Sequence, residues 1–96
     1  DYVIFSMSKL RNVSFNQCFL RGGGLDNCQF TNVEFEHCNL VEAELHRTSL
    51  KGIDLTSSEI AGIRIGSIPG GELKGATVTS LQALDIARML GITIKD

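Results

Sequence analysis

Three cysteines, two histidines, a glycine run and a knot of carboxylates are the residues that could do chemistry in this chain. Cys18, Cys28 and Cys38 are spaced by ten. Structural zinc sites gather their thiolates through much tighter spacings, so this is not a zinc pattern. A reducing cytoplasm is the expected compartment, and there the cysteines are expected as free thiols. His37 and His46 have no ligand cluster around them and read as solvated side chains. Gly22-Gly23-Gly24 resembles a phosphate loop superficially, but no helix pattern follows it. Neither G-x-G-x-x-G nor the P-loop pattern is complete. Glu34, Glu36 and Asp54 form the densest acidic cluster. A convex face offers no pocket to tune such carboxylates for acid–base work. No catalytic, cofactor-binding or metal-binding residue is assigned, no cofactor is expected, and the chain reads as a non-enzyme.

The element that must position these residues is a five-residue register. Phe5, Leu10, Phe15, Leu20, Leu25, Phe30, Phe35, Leu40, Leu45, Leu50, Leu55, Ile60 and Ile65 fall at every fifth place, and all thirteen are Leu, Phe or Ile. Two places before each centre stands a small or β-branched, uncharged residue, from Val3 and Ser8 through Cys18, Gly23, Cys28 and Cys38 to Ile63. The other positions carry all the charge of this region. A period of five fits neither the helical 3.6 nor the strand 2.0. It fits a coil that turns a corner every five residues, so that four sides close a square of about twenty residues. Stacked coils then pair their backbones at the strand spacing of about 4.8 Å. The large centre fills the interior, and the small residue points in beside the wall. Residues twenty apart are expected to stack, which puts Phe15 on Phe35 and Cys18 on Cys38. Cys28 falls on the opposite wall.

This pattern resembles the pentapeptide-repeat family over residues 3–65. The resemblance implies an all-β solenoid, a right-handed quadrilateral β-helix of about three coils over 1–65, with residues 66–96 as a C-terminal helical cap. Ile53 and Ile63 depart from the small residue the family prefers. The Gly22–Gly24 stretch is expected as a loosened coil or local bulge, or as a protein-contact site. The register is already in phase at Val3, and further coils are expected upstream of Asp1.

After Ile65 the reading changes. Residues 66–71 are turn-rich and hold the single proline. Residues 72–79 are expected as a short extended stretch. Thr79 and Gln82 form a capping-box signature, the helix is expected over about 80–90, and Gly91 stops it. Ile92 and Ile94 alternate as a final strand. Ala83, Ile86, Ala87 and Leu90 make one face, expected to close the open end of the coils. Leu81, Leu84 and Met89 lie outside that face and need another cover, for which a symmetric partner is the simplest choice. Leu81, Leu84, Ile86, Met89, Leu90, Ile92 and Ile94 are thus the candidate cap and dimer residues. The tail, with Leu73-Lys74-Gly75-Ala76-Thr77-Val78-Thr79, Gln82-Ala83 and Ala87-Arg88-Met89-Leu90-Gly91-Ile92, resembles the end of Qnr-type quinolone-resistance proteins. That resemblance implies a homodimer through this module, and a rod that mimics B-form DNA and binds DNA gyrase or topoisomerase IV.

Composition bounds these readings. The chain has 96 residues, 43% hydrophobic and 21% charged, with a net charge of −2. It is too apolar for a disordered chain and lacks the basic balance of a nucleic-acid binder. No apolar run is long enough to span a bilayer, and no signal-peptide pattern opens it. Neither direct nucleic-acid binding, membrane contact nor a small-molecule substrate is expected. The charge is sorted by side. Glu34, Glu36 and Asp54 share one face with no Lys or Arg, and Glu42 and Glu59 lie on the next with Arg21. Lys9, Arg11 and Lys51 share another without an acid. An interaction rod with an acidic face is one reading; a structural repeat scaffold with ordinary solubilising charge is the alternative.

Overall fold

The computed structural model describes residues 2–66 and 71–95. Its elements are β1 (Lys9–Asn16), β2 (Gln29–Glu36) and α1 (Ser80–Met89). Strand β1 pairs with β2 in parallel, Lys9 opposite Gln29 through Asn16 opposite Glu36. The same register recurs as single bridges elsewhere on the coil. Ile4 pairs with Gly24, Gly24 with Glu44, and Glu44 with Arg64, while Phe19 pairs with Asn39 and Asn39 with Glu59. All are twenty residues apart. Residues 4–64 are therefore a stack of parallel rungs that hold the expected register.

The corners explain the period of five. At several corners the carbonyl of a centre accepts the N–H of the residue three ahead, as in Ser8 N to Phe5 O at 3.1 Å and Gly23 N to Leu20 O at 2.9 Å, whereas after Leu25 and Phe35 the N–H of Cys28 and Cys38 goes to Thr48 Oγ1 and Ser58 Oγ. The residue two past the centre then sits at positive φ, as a type II turn requires. Asn12, Asn27 and Asn32 lie at φ 54–55°, Gly22 at 68° and Gly52 at 78°. Asn and Gly tolerate this region best. Met7, Gln17, His37, Glu42 and Arg47 are held there too, with φ between 52° and 66°. The Leu55 corner differs: Asp54 Oδ1 accepts both the N–H and the Oγ1 hydroxyl of Thr56, at 2.8 and 2.6 Å.

Inside, the centres and the small positions form one core. Leu25, Leu40, Leu45, Leu50 and Leu55 are each about 1–2% exposed, and Phe35 is 2% exposed. Phe15 lies on Phe35 as expected, with ring centroids 5.1 Å apart and planes 7° from parallel. Polar groups at the small positions tie adjacent rungs together. Thr48 Oγ1 accepts the Cys28 N–H at 3.0 Å and donates to Leu25 O, and Ser58 Oγ accepts the Cys38 N–H at 3.1 Å. Among the described residues, no buried side-chain N or O atom lacks a partner. Phe5, Leu10, Val13, Phe15 and Cys18 are half-buried and pack against this core.

Three expectations need correction. Gly22–Gly24 is neither loosened nor bulged: Gly22 turns the corner, Gly23 is buried at the small position, and Gly24 pairs with rungs on both sides. The register does not stop at Ile65. Asp54 pairs with Thr77, 23 residues on rather than 20, and Leu50 N donates to Glu72 O at 2.8 Å. Leu73 and Val78 take centre positions, and Ala76 takes the small one, packed against the core. Thus the expected extended stretch at 72–79 is part of a further rung, displaced by three residues. Finally, Ile92 and Ile94 make no bridge among the described residues, so the last strand does not form. Residues 67–70 of the expected proline-bearing loop lie outside the described residues.

Candidate interaction faces

The acidic candidates divide into two groups. Glu34 and Glu36 project from β2 and, with Asp54 of the next rung, line a shallow cleft of about 500 Å³. His37 and Thr56 lie on its rim, and no Lys or Arg lines it. The outward residues of a parallel rung pair align at the register, which brings these carboxylates together. The Asp54 carboxyl is held below the usual range by its two bonds from Thr56. Glu42 and Glu59 lie elsewhere. Glu42 pairs with Arg21 at 3.2 Å with both side chains about half exposed, and the Glu59 backbone bridges to Asn39. The coherent acidic surface is thus Glu34, Glu36 and Asp54.

The helix face is not a seal. Helix α1 begins as expected: Thr79 Oγ1 accepts the Gln82 N–H at 3.1 Å, and Gln82 Oε1 accepts the Thr79 N–H at 2.8 Å. Gln82 also does something its sequence context did not announce. Its Nε2 donates to Leu55 O and Ser58 O, both at 2.8 Å, fastening the helix start to the rung before it. Beyond that clamp no helix residue is fully buried. Ile86 and Met89 pack against the core, so Met89 belongs to the packing side rather than outside it. Ala83 is exposed, contrary to its expected place in a closing face. Leu73, Ala76 and Val78 of the displaced rung face Ala83, Ile86 and Leu90 across an apolar groove of about 600 Å³. Leu81 and Ile92 are 75% and 54% exposed, Leu84 is also exposed, and Leu90 and Ile94 are half-buried.

Glu72 is the residue that sequence reasoning passed over. The residue is 7% exposed, and its Oε2 accepts the N–H of Arg47 at 3.1 Å and of Gly66 at 2.7 Å. In lower rungs such a corner N–H is taken by a carbonyl of the next rung, as in Asn27 N to His46 O. At Arg47 the Glu72 carboxylate takes that carbonyl's place. Burial works against its ionised form, but the amides of Arg47, Gly66 and Glu72 itself, with His46 nearby, outweigh burial and hold the carboxyl below its usual range. His46 is half-buried here rather than solvated, while His37 is exposed as expected.

All three cysteines are free thiols. Among the described residues, no group of three or more His, Cys, Asp or Glu is placed to hold a metal ion. No described helix is long and apolar enough to cross a membrane.

Parallel rungs twenty residues apart define the class: a repeat stack whose outward positions are free to vary. Residues 25–58 match the family model described as pentapeptide repeats, in eight copies. The ladder itself extends past both ends of that match, from the Ile4–Gly24 bridge to the Asp54–Thr77 bridge. Comparison with curated proteins gave no match.

Proposed function

We propose that the chain is a non-catalytic protein-interaction rod. On this reading the rungs close into a right-handed four-sided β-helix, helix α1 ends the stack, and the outward faces bind a protein. The most specific form is a Qnr-like mimic of B-form DNA that binds DNA gyrase or topoisomerase IV. The supporting observation is the cleft of Glu34, Glu36 and Asp54, which no Lys or Arg lines. The three carboxylates lie on two adjacent rungs about 4.8 Å apart. Duplex DNA carries one charge per about 1.7 Å of axis. The cleft therefore supplies a short acidic patch, sparser along the axis than a duplex. The test is a supercoiling assay with purified topoisomerase. The wild-type chain alters activity or quinolone sensitivity, and Glu34→Lys with Asp54→Lys abolishes the effect. No effect from the wild-type chain overturns the topoisomerase reading.

A second reading, a structural scaffold, is favoured by the opposite charge of Lys9, Arg11 and Lys51 and by the net charge of only −2. It predicts that the supercoiling assay stays silent. Either reading includes a homodimer through the C-terminal module, supported by the apolar groove and by exposed Leu81, Leu84 and Ile92. Light scattering then gives twice the chain mass, and Leu84→Glu returns the monomer with its β-sheet circular dichroism unchanged. A wild-type monomer at high concentration removes the dimer.

A further inference from the structure

The twenty-residue register sets one pair of nucleophiles side by side. Asn39 N donates to Cys18 O at 3.0 Å, and Leu20 N to Asn39 O at 2.8 Å, so Cys18 and Cys38 occupy matching places on adjacent rungs. Both take the inward small position. Rung spacing of about 4.8 Å lies inside the window of about 4.4–6.8 Å for bridged Cα atoms. Cys28 has no such neighbour: its rung partners are Ser8 and Thr48, and Thr48 Oγ1 accepts the Cys28 N–H.

Access separates the two members. Cys18 is half-buried, and its thiol donates only a long 3.6 Å bond to Asn16 O. Cys38 is 2% exposed, and its thiol donates to Phe15 O at 3.3 Å and Glu36 O at 3.4 Å. Burial pushes the Cys38 thiol up. A solvent-reached thiol beside a buried one is an attacking and a resolving pair.

We infer that Cys18 and Cys38 form a reversible disulfide that staples adjacent rungs when the protein meets a hydroperoxide. The Cys18 thiolate attacks the peroxide oxygen, the O–O bond breaks, and water leaves. The resulting Cys18 sulfenic acid is then attacked by Cys38 sulfur. The S–S bond forms, the S–O bond breaks, and a second water carries away the Cys38 proton. Two thiols are oxidised by two electrons, and one hydrogen peroxide is reduced to two waters.

The full chain treated with hydrogen peroxide should lose the mass of two hydrogens. Peptide mapping without reductant should link Cys18 to Cys38 and leave Cys28 as the one titratable thiol. Dithiothreitol should restore all three. Cys28→Ser should cross-link as the wild type does. Cys38→Ser should instead accumulate a Cys18 sulfenic acid that a dimedone probe traps. Serine fills this inward position natively at Ser8 and Ser58, so the substitution suits the rung. Three thiols still titratable after oxidation, a bridge that includes Cys28, or a bridge only between chains would each overturn the inference. The wild-type map decides this without any variant.

Discussion

Phe35→Ala is the perturbation that reaches furthest into this fold. Phe35 is 2% exposed, stacks on Phe15 with centroids 5.1 Å apart, and tilts against Phe30 at 5.9 Å. Truncating a buried Phe costs about 3–5 kcal/mol, and each lost ring pair adds to its area term by about 0.5–1.5 kcal/mol. Rungs above and below are fixed by backbone pairing and collapse poorly into the void, so the upper half of the range, about 4–5 kcal/mol, is expected. Domains of this size are stable by about 5–15 kcal/mol, so the loss is a large share of the total. Urea unfolding followed by circular dichroism measures it as a fall in midpoint. Phe19→Ala is the control, because Phe19 is 69% exposed on the outer face and should change stability by no more than about 0.5 kcal/mol. Similar costs for the two variants would refute the inward-centre reasoning.

Further outcomes follow from the corners and the cap. Gln82→Ala removes the capping box and two donors to Leu55 O and Ser58 O, and should cost about 2–3 kcal/mol against about 1 kcal/mol for Thr79→Ala, read by the same unfolding curves. Gln17→Gly relieves a positive φ of 55° and should raise stability by about 0.5 kcal/mol, the relief exceeding the glycine's added chain entropy. Glu72 has a folded carboxyl held below its unfolded value, so its contribution is complete above the unfolded pKa of about 4.3 and is lost as pH falls through the folded one. Glu72→Gln should therefore be less stable at neutral pH and show a flatter acid limb in urea midpoints taken from pH 6 to pH 2. Parallel limbs for the two proteins would reject that role.

Much of this was legible because side-chain volume repeats. The centres and the small positions obey one register, and stacking of Phe15 on Phe35 follows from it. The corner residues were equally visible but differently encoded. Asn12, Gly22, Asn27, Asn32, Gly52 and Gly62 recur two places past a centre, which is a conformational signal rather than a hydrophobic one. The glycine run misled for the same reason: three glycines in a row look like a loop until each is assigned its place on the rung. The displaced rung at 72–79 was hidden because three extra residues break the count, although Leu73, Ala76 and Val78 preserve the local pattern. Glu72 and Gln82 could not be read at all as clamps. Their partners, the amides of Arg47 and Gly66 and the carbonyls of Leu55 and Ser58, become neighbours only through stacking. The acidic cleft was partly legible, since the register aligns Glu34 with Asp54, whereas the Arg21 partner that sets Glu42 apart depends on side-chain reach.

Nuclear Overhauser contacts on the full chain test the central claim, a rung stack that keeps its register and then shifts it. The account predicts contacts between residues twenty apart, including Phe15 with Phe35 and Gly24 with Glu44, and contacts twenty-three apart for Asp54 with Thr77. A register other than twenty below Ile65, or Asp54 still paired at a spacing of twenty above it, would contradict the account.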